Sequence, residues 1–140
     1  MPDFTAFAAT HSAAFRGGHV RAWSAEEFSA LCASPFTYVV GDERAFAVGR
    51  AVAGEAELLT LATDPSHQRK GLAKAVLKAF HQEALNRAAA FVCLEVAENN
   101  RAARALYKSE GYIETARRAA YYRGDCGPAV DALILSRSLP

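Results

Sequence analysis

The sequence has no excess of charge of either sign. Its 16 lysines and arginines are matched by 15 aspartates and glutamates, which leaves a formal net charge of +1. Proteins that bind nucleic acids or membrane surfaces usually concentrate positive charge. We therefore expect neither a nucleic acid nor a membrane as a partner, and we expect any bound anion to be held by a few local donors.

Paired cysteines and long apolar runs are also missing. Cys32, Cys93 and Cys126 lie far apart without a C-x-x-C motif, which argues against a disulfide framework or a structural zinc site. No apolar run is long enough to cross a bilayer, and the N-terminus has Asp3 instead of the basic cluster of a signal peptide. The four histidines form no ligand cluster. These absences predict a cytoplasmic protein without a bound metal, in which Cys93 is a packed core residue.

The composition is that of a folded domain. The 140 residues are 51% hydrophobic and 22% charged, a length and balance that suit one hydrophobic core. No internal repeat, low-complexity stretch or linker divides the chain. We therefore expect a single domain over residues 1–140.

Hydrophobic periodicity predicts a mixed α/β (α+β) protein. Period-four patterns and capping signals indicate helices near 4–15, 24–34, 71–87 and 100–110. Alternating or β-branched runs indicate strands near 36–40, 46–52, 57–63, 91–96, 112–122 and 129–136. Successive antiparallel strands and one β-α-β crossover predict a mixed, mostly antiparallel central sheet with helices on both faces. Ligands of such sheets tend to bind at the carboxyl ends of strands.

The segment His67–Ala73 is the first candidate binding site, because it connects a strand directly to a helix N-terminus. The unpaired N–H groups and positive dipole end of a first helical turn suit a phosphate. Gly71 and Ala73 leave room for close approach, while Arg69 and Lys70 add positive charge. The segment is neither a Walker A loop nor a G-x-G-x-x-G motif. An ordinary turn with solvated basic residues would explain the same pattern.

The strand FVCLEV (residues 91–96) contains one carboxylate among five apolar residues, Glu95. An isolated buried carboxylate is costly unless it is paired, protonated or functional. Burial raises the pKa of a carboxyl group toward the range that a general base needs. The alternatives are a strand residue that faces the surface and a residue that pairs with a nearby arginine.

Two motifs resemble those of the GNAT N-acetyltransferases. Gln68-x-x-Gly71-x-Ala73 resembles the family's acyl-CoA-binding signature, and the segment Asn100–Tyr112 resembles its N-x-x-A-x-x-L-Y-x-x-x-G-F/Y helix. The resemblance extends from about Trp23 onward and is strongest to the ribosomal-protein alanine N-acetyltransferases (RimI type). The features similar to that subgroup are Trp23-Ser24, Leu94–Val96, Tyr107, Arg117-Arg118 and Tyr121-Tyr122.

The resemblance implies an acetyl-CoA site and two catalytic residues. In the family, a strand backbone pairs with the pantetheine arm, loop amides hold the pyrophosphate, and an asparagine contacts the pantetheine. The matching positions here are Leu61, Ala62, Thr63, Gln68, Arg69, Lys70, Gly71, Leu72, Ala73, Lys74 and Asn100. Glu95 matches the general base and Tyr107 the general acid. Tyr107 could instead be only a core aromatic, and Asn100 only a helix cap.

The implied activity is direct transfer of acetyl from acetyl-CoA to a primary amine, without a covalent enzyme intermediate. The subgroup's acceptor is the N-terminal α-amine of a ribosomal protein. A small-molecule amine and a CoA-binding module without turnover are the alternatives. The loop Arg123–Pro128, which borders the acceptor side in the family, is unusual for the subgroup, so the acceptor stays open. We expect a monomer or a homodimer.

Overall fold

The computed structural model describes residues 3–16, 21–123 and 127–140. Within these ranges, the helices are α1 (Phe4–Ala14), α2 (Ala25–Cys32), α3 (Leu72–Asn86) and α4 (Arg101–Ser109). The strands are β1 (Thr37–Asp42), β2 (Ala45–Val52), β3 (Glu55–Thr63), β4 (Phe91–Ala97), β5 (Ile113–Tyr122) and β6 (Val130–Ser138). A short 3-10 turn, Pro65–His67, leads toward α3. None of the described helices is long and apolar enough to cross a membrane.

The predicted elements are confirmed, with small changes at their ends. The capping box predicted at the start of α2 is present, because the Ser24 side chain accepts from the Glu27 N–H and the Glu27 carboxylate accepts from the Ser24 N–H. Two sequence features, the break at Gly17–His19 and the loop residues 124–126, lie outside the described residues.

All six strands of the described chain form one sheet in the order β1-β2-β3-β4-β6-β5. Only the central pair, β3 and β4, is parallel, and α3 provides the crossover between these two strands. The other four pairs are antiparallel. The predicted mixed, mostly antiparallel sheet with helices on both faces is therefore confirmed.

Helices α3 and α4 cover one face of the sheet. Phe80 of α3 is fully buried and lies against Gly49 of β2, where a Cβ atom would collide with the phenylalanine ring. The small residue thus lets the helix approach the sheet closely. Tyr107 and Leu106 of α4 join the same core cluster.

Helix α1 packs on the opposite face, with the predicted apolar side inward. Phe7 stacks on Phe46 of β2 at a centroid distance of 4.4 Å. His11 is fully buried. Its Nδ1 atom accepts the Trp23 N–H at 3.1 Å, so the ring proton is on Nε2, which donates to Thr60 Oγ1 at 2.9 Å. Desolvation, and to a smaller extent the charge of the nearby Arg21, lowers the pKa of His11 to about 4. Helix α1 is thereby fixed to the middle of β3.

Candidate active site

A cleft opens in the sheet where β3 and β4 stop pairing. Their parallel register runs from Glu55 opposite Phe91 to Leu58 opposite Leu94 and ends there. Strand β3 continues for five residues beyond this point and β4 for three. The backbone of 59–63 therefore has no strand partner on its β4 side within the described chain. Such an edge can pair with an extended ligand.

A β-bulge accompanies the separation of the strands. Thr60 pairs with Val48 and Leu58 pairs with Gly49, so Leu59 is an extra residue in β3. A bulge bends its strand and reverses the faces on which later side chains lie. Leu58 accordingly belongs to the core under α3, whereas Ala62 belongs to the core under α1. The strand changes direction at the place where the cleft begins.

Two adjoining cavities fill this cleft. The larger one, about 540 Å³, extends over the N-terminus of α3, and the smaller one, about 190 Å³, lies beside Glu95. The residues that line both cavities are Phe15, Leu61, Asn100, Ala103 and Tyr107. The shared lining makes one continuous cleft with two ends.

The N-terminus of α3 forms the base of the larger cavity. Its cap residue, Gly71, has a left-handed backbone (φ 76°) and provides no capping side chain. The three other described α-helices are capped by the side chains of Asp3, Ser24 and Asn100. The first-turn N–H groups of α3 are thus left for another acceptor, at the positive end of the helix dipole. This arrangement suits an anion.

The structure brings nearly all of the predicted donor-site residues together. The larger cavity is lined by Leu61, Ala62, Thr63, Gln68, Arg69, Gly71, Leu72, Ala73, Lys74 and Asn100. Lys70 is the one predicted residue that does not line it. Asn100 also caps α4, because its Oδ1 atom accepts the Ala103 N–H at 3.2 Å. Its capping role, left open by the sequence, is therefore present.

Tyr107 lies at the junction of the two cavities. The residue is 6% exposed, and its hydroxyl forms no hydrogen bond with any residue of the described ranges. Its ring packs edge-to-face on Tyr112 at a centroid distance of 5.6 Å. Burial raises the pKa of Tyr107 above its usual range, so the hydroxyl keeps its proton at neutral pH and can donate it.

Glu95 is not buried in the way that the apolar strand suggested. Leu94 and Val96 point into the core, whereas Phe91, Cys93 and Glu95 alternate with them on the other face. The prediction of a packed Cys93 is therefore wrong, since this residue is only half-buried. Phe91 and Cys93 are apolar but lie on the open face, and this concealed the alternation in the sequence.

The Glu95 carboxylate has two neighbours from β5. Its side chain is 30% exposed. The Tyr122 hydroxyl donates to Oε2 at 3.0 Å, and Arg118 Nε lies 3.6 Å from Oε1. The expected alternative of pairing with an arginine is thus also seen. The carboxylate still lines the smaller cavity, with both oxygens held by neighbours.

Tyr122 and Phe15 are among the cleft residues that carried no functional prediction. Tyr122 stood out only as part of the Tyr121-Tyr122 pair, yet it lines the smaller cavity and bonds Glu95. Desolvation and the adjacent Glu95 raise the pKa of Tyr122 above its usual range. Phe15 follows the C-terminal end of α1 and lines both cavities. Its sequence context indicated only a hydrophobic helix face.

In the described part of the chain, no group of three or more histidine, cysteine, aspartate or glutamate side chains is placed to hold a metal ion.

Sequence comparison identifies relatives among bacterial enzymes. The [ribosomal protein bS18]-alanine N-acetyltransferase of Escherichia coli (strain K12) is 41% identical over 96 residues, which are 69% of this chain and 64% of that protein. The N-alpha-acetyltransferase RimI of Mycobacterium tuberculosis is 32% identical over 110 residues, covering 72% of this chain and 68% of that protein. The chain thus matches less than two thirds of the length of the E. coli relative.

The fold is also that of a solved structure. The crystal structure of the ribosomal-protein-S18-alanine N-acetyltransferase from E. coli superimposes with a TM-score of 0.85 at 32% identity, covering 98% of this chain and 88% of that one. The sequence profile of the acetyltransferase (GNAT) family matches residues 7–112. The match begins inside α1, which the motif resemblance had left out. On this evidence, the chain belongs to the acetyltransferase (GNAT) family.

Proposed function

We propose that this protein is an acetyl-CoA-dependent N-acetyltransferase that moves acetyl directly to a primary amine. One observation carries the proposal. A single cleft joins an uncapped helix N-terminus at one end to a carboxylate, Glu95, at the other, with the buried Tyr107 hydroxyl between them. An anion site and an acid–base pair are what a CoA-dependent acetyl transfer to an amine requires.

The donor would occupy the larger cavity. The amides of 69–74 would hold the pyrophosphate of acetyl-CoA, and the charges of Arg69 and Lys74 would add to the attraction. The pantetheine arm would extend along the free edge of 61–63 and pair with its backbone as an added strand. Asn100 would contact the same arm from the start of α4. The thioester would then lie near Tyr107.

The chemistry needs a proton acceptor for the incoming amine. An amine is mostly protonated at neutral pH and must lose a proton before its lone pair can attack. Glu95 takes this proton, directly or through a water molecule. The amine nitrogen then bonds to the thioester carbonyl carbon, and the C–S bond breaks as the tetrahedral intermediate collapses.

The departing sulfur needs a proton donor. Tyr107 supplies a proton to the CoA thiolate, and its position at the junction of the cavities lies between the donor and acceptor ends. Because burial keeps this hydroxyl protonated at neutral pH, it begins each cycle in the form that an acid requires. The nitrogen is positively charged after the attack, and the second proton that it then releases restores the Tyr107 hydroxyl. Glu95 passes its own proton to solvent. The products are CoA with a free thiol and an N-acetylated amine.

We further propose that the acceptor is the N-terminal α-amine of a protein, such as a ribosomal protein. The E. coli relative acts on the alanine of ribosomal protein bS18, and this chain shares 41% identity with it. The smaller cavity beside Glu95 has room for a terminal residue. Strand β5 borders this cavity and is exposed over nearly its whole length, so its surface is open to the rest of a bound polypeptide.

Acetyl-CoA turnover on a panel of acceptors tests this function. The panel contains peptides with free N-termini, including alanine-initiated ones, the same peptides with blocked N-termini, and small amines such as polyamines and amino acids. Thiol release measures turnover, and mass spectrometry locates the acetyl group. Acetylation of free N-termini alone supports the proposal. Turnover of small amines alone would show that the acceptor is a small molecule and not a protein N-terminus. Tight CoA binding without thiol release would refute the proposed acetyltransferase activity.

A further inference from the structure

Strand β5 contains a large bulge next to Glu95. Arg118 pairs with Ala132 and Tyr122 pairs with Val130, so four steps along β5 correspond to only two along β6. In a regular strand, residues four apart are separated by roughly 13 Å, at about 3.3 Å per residue. The bulge shortens this separation. Arg118 and Tyr122 can therefore both reach the same carboxylate, one at each oxygen of Glu95.

The bulge needs support because its backbone is strained. Ala120 has a left-handed conformation (φ 50°), which is unfavourable for a residue with a Cβ atom. Asp131, the one β6 residue between the two flanking pairs, provides that support. Its Oδ1 atom accepts the Ala120 N–H at 2.9 Å, and its Oδ2 atom pairs with Arg117 at 2.9 Å.

Asp131 also connects the bulge to the end of the catalytic strand. Its backbone carbonyl accepts the Glu98 N–H at 2.9 Å, and Glu98 follows directly after β4. The Ala120 and Arg117 hydrogen bonds lower the pKa of Asp131, so the group is a carboxylate at neutral pH. Asp131 thus joins the β5 bulge through its side chain and the segment after Glu95 through its backbone.

We propose that Asp131 is a positioning residue for acetyl transfer: it holds the β5 bulge in the shape that places Tyr122 and Arg118 on Glu95. This inference rests on the proposed function. The ion pair with Arg117 is not a role specific to Asp131, because Glu98 (3.3 Å) and Glu114 (3.4 Å) pair with the same guanidinium. The bond to the Ala120 amide is the contact that Asp131 alone supplies among the described residues.

Steady-state kinetics of three variants test the role. In Asp131→Ala, we expect kcat to fall by roughly tenfold or more, as for a misplaced catalytic group, while KM for acetyl-CoA stays within about twofold. Asp131→Asn keeps an oxygen for the Ala120 N–H and should recover most of the lost kcat. Glu114→Ala removes one of the carboxylates that pair with Arg117 but leaves the bond between Asp131 and the Ala120 N–H intact. It is therefore the matched control and should retain kcat.

A mutant cycle separates positioning from a general loss of stability. If Asp131 acts through Tyr122 and Arg118, adding Asp131→Ala to the double variant Arg118→Ala/Tyr122→Phe should lower kcat by less than about twofold, since coupled residues are not additive. A full tenfold loss in that background would overturn the proposal. So would a wild-type kcat in Asp131→Ala.

Hydrogen exchange gives a readout that does not depend on turnover. In Asp131→Ala, amides of 117–122 should exchange roughly tenfold faster than in the wild type, because local opening is favoured, whereas those of α3 should not change. Unchanged exchange in 117–122 would refute the role of Asp131 in the bulge. If the wild type acetylates no amine but the exchange result holds, the proposed function fails and the structural role of Asp131 stands.

Discussion

Leu58 and Leu94 are the last residues at which the parallel strands β3 and β4 pair. Beyond them, within the described residues, β3 pairs with β2 alone and β4 pairs with β6 alone. The same break leaves a free backbone edge on β3 and places Glu95, the next residue of β4, beside the opening. One interruption of the sheet thus creates both ends of the cleft, and each end can be tested by a substitution.

The carboxylate end is tested by Glu95→Gln. The amide keeps the size of the side chain and can still accept from Tyr122, but it cannot take a proton from an amine. We expect kcat to fall by roughly 10²-fold at neutral pH, the usual scale of general-base catalysis. The affinity for CoA, measured by calorimetry, should not change, because Glu95 does not line the larger cavity.

Glu55→Gln is the matched control for that variant. Glu55 lies on the same face of the sheet, in register with Phe91, and the substitution removes the same charge outside the cleft. Its turnover should equal that of the wild type. Unchanged turnover in Glu95→Gln would exclude Glu95 as the base.

Tyr107→Phe tests the proton donor. The change removes only the hydroxyl and leaves the ring that packs on Tyr112. We expect kcat to fall by roughly 10²-fold, as for loss of a general acid, with little change in melting temperature. Tyr38→Phe is the control, because it also removes a buried hydroxyl, the one that donates to the Phe80 carbonyl at 3.3 Å. Equal turnover of both variants would contradict the assigned acid.

Local signals explain why the elements of the fold could be predicted. The capping box at Ser24 and Glu27 and the period-four apolar positions of α3 act between residues close in sequence. The loop before α3 was recognisable for the same reason, because its glycine and basic residues are consecutive. These features do not depend on which strand lies beside which.

The shape of the cleft depends on contacts between distant residues and could not be predicted. The extra residue at Leu59 is visible only in the register against β2. The bulge of β5 is visible only against β6. Phe15 reaches the cleft because the buried His11 fixes α1 to Thr60, 49 residues away. Glu95 could be placed on a strand from the sequence, but not on its open face.

The anion end of the cleft is tested by Gly71→Asp. The substitution places a carboxylate where the pyrophosphate of CoA would lie, at the uncapped start of α3. Repulsion between the two anions should weaken CoA binding by roughly tenfold or more, a loss of about 1.4 kcal/mol or more. Titration of CoA by calorimetry measures the effect directly.

Gly54→Asp controls for backbone strain in that experiment. Gly54 lies in the turn between β2 and β3, also has a left-handed backbone (φ 84°), and has equally open space around it. Both substitutions therefore carry the same conformational cost, but only Gly71 adjoins the cavity. Equal CoA affinity in the two variants would refute an anion site at α3.

Two buried histidines should make the stability of the protein depend on pH. His81 resembles His11 in this respect, because desolvation and then Arg137 lower its pKa to about 4. Its Nε2 atom lies 2.6 Å from the Tyr112 hydroxyl. In the unfolded chain, both imidazoles return to a pKa of about 6.5. Between pH 6.5 and 4, the unfolded state therefore binds protons that the native state does not.

The sign of the effect follows from that difference. The contribution of each histidine is complete above pH 6.5, and it is lost as the pH falls toward 4, by up to about 1.4 kcal/mol per pH unit. Urea unfolding at pH 7.5, 6 and 5 should show a small fall in the free energy of unfolding between the first two values and a larger one between pH 6 and 5. His11→Gln removes one of the two titrating groups. In this variant, the slope of the unfolding free energy against pH below 6.5 should be smaller by up to about 1.4 kcal/mol per pH unit, the effect of one proton. A free energy that does not change between pH 6.5 and 5 would show that neither histidine is held neutral by the fold.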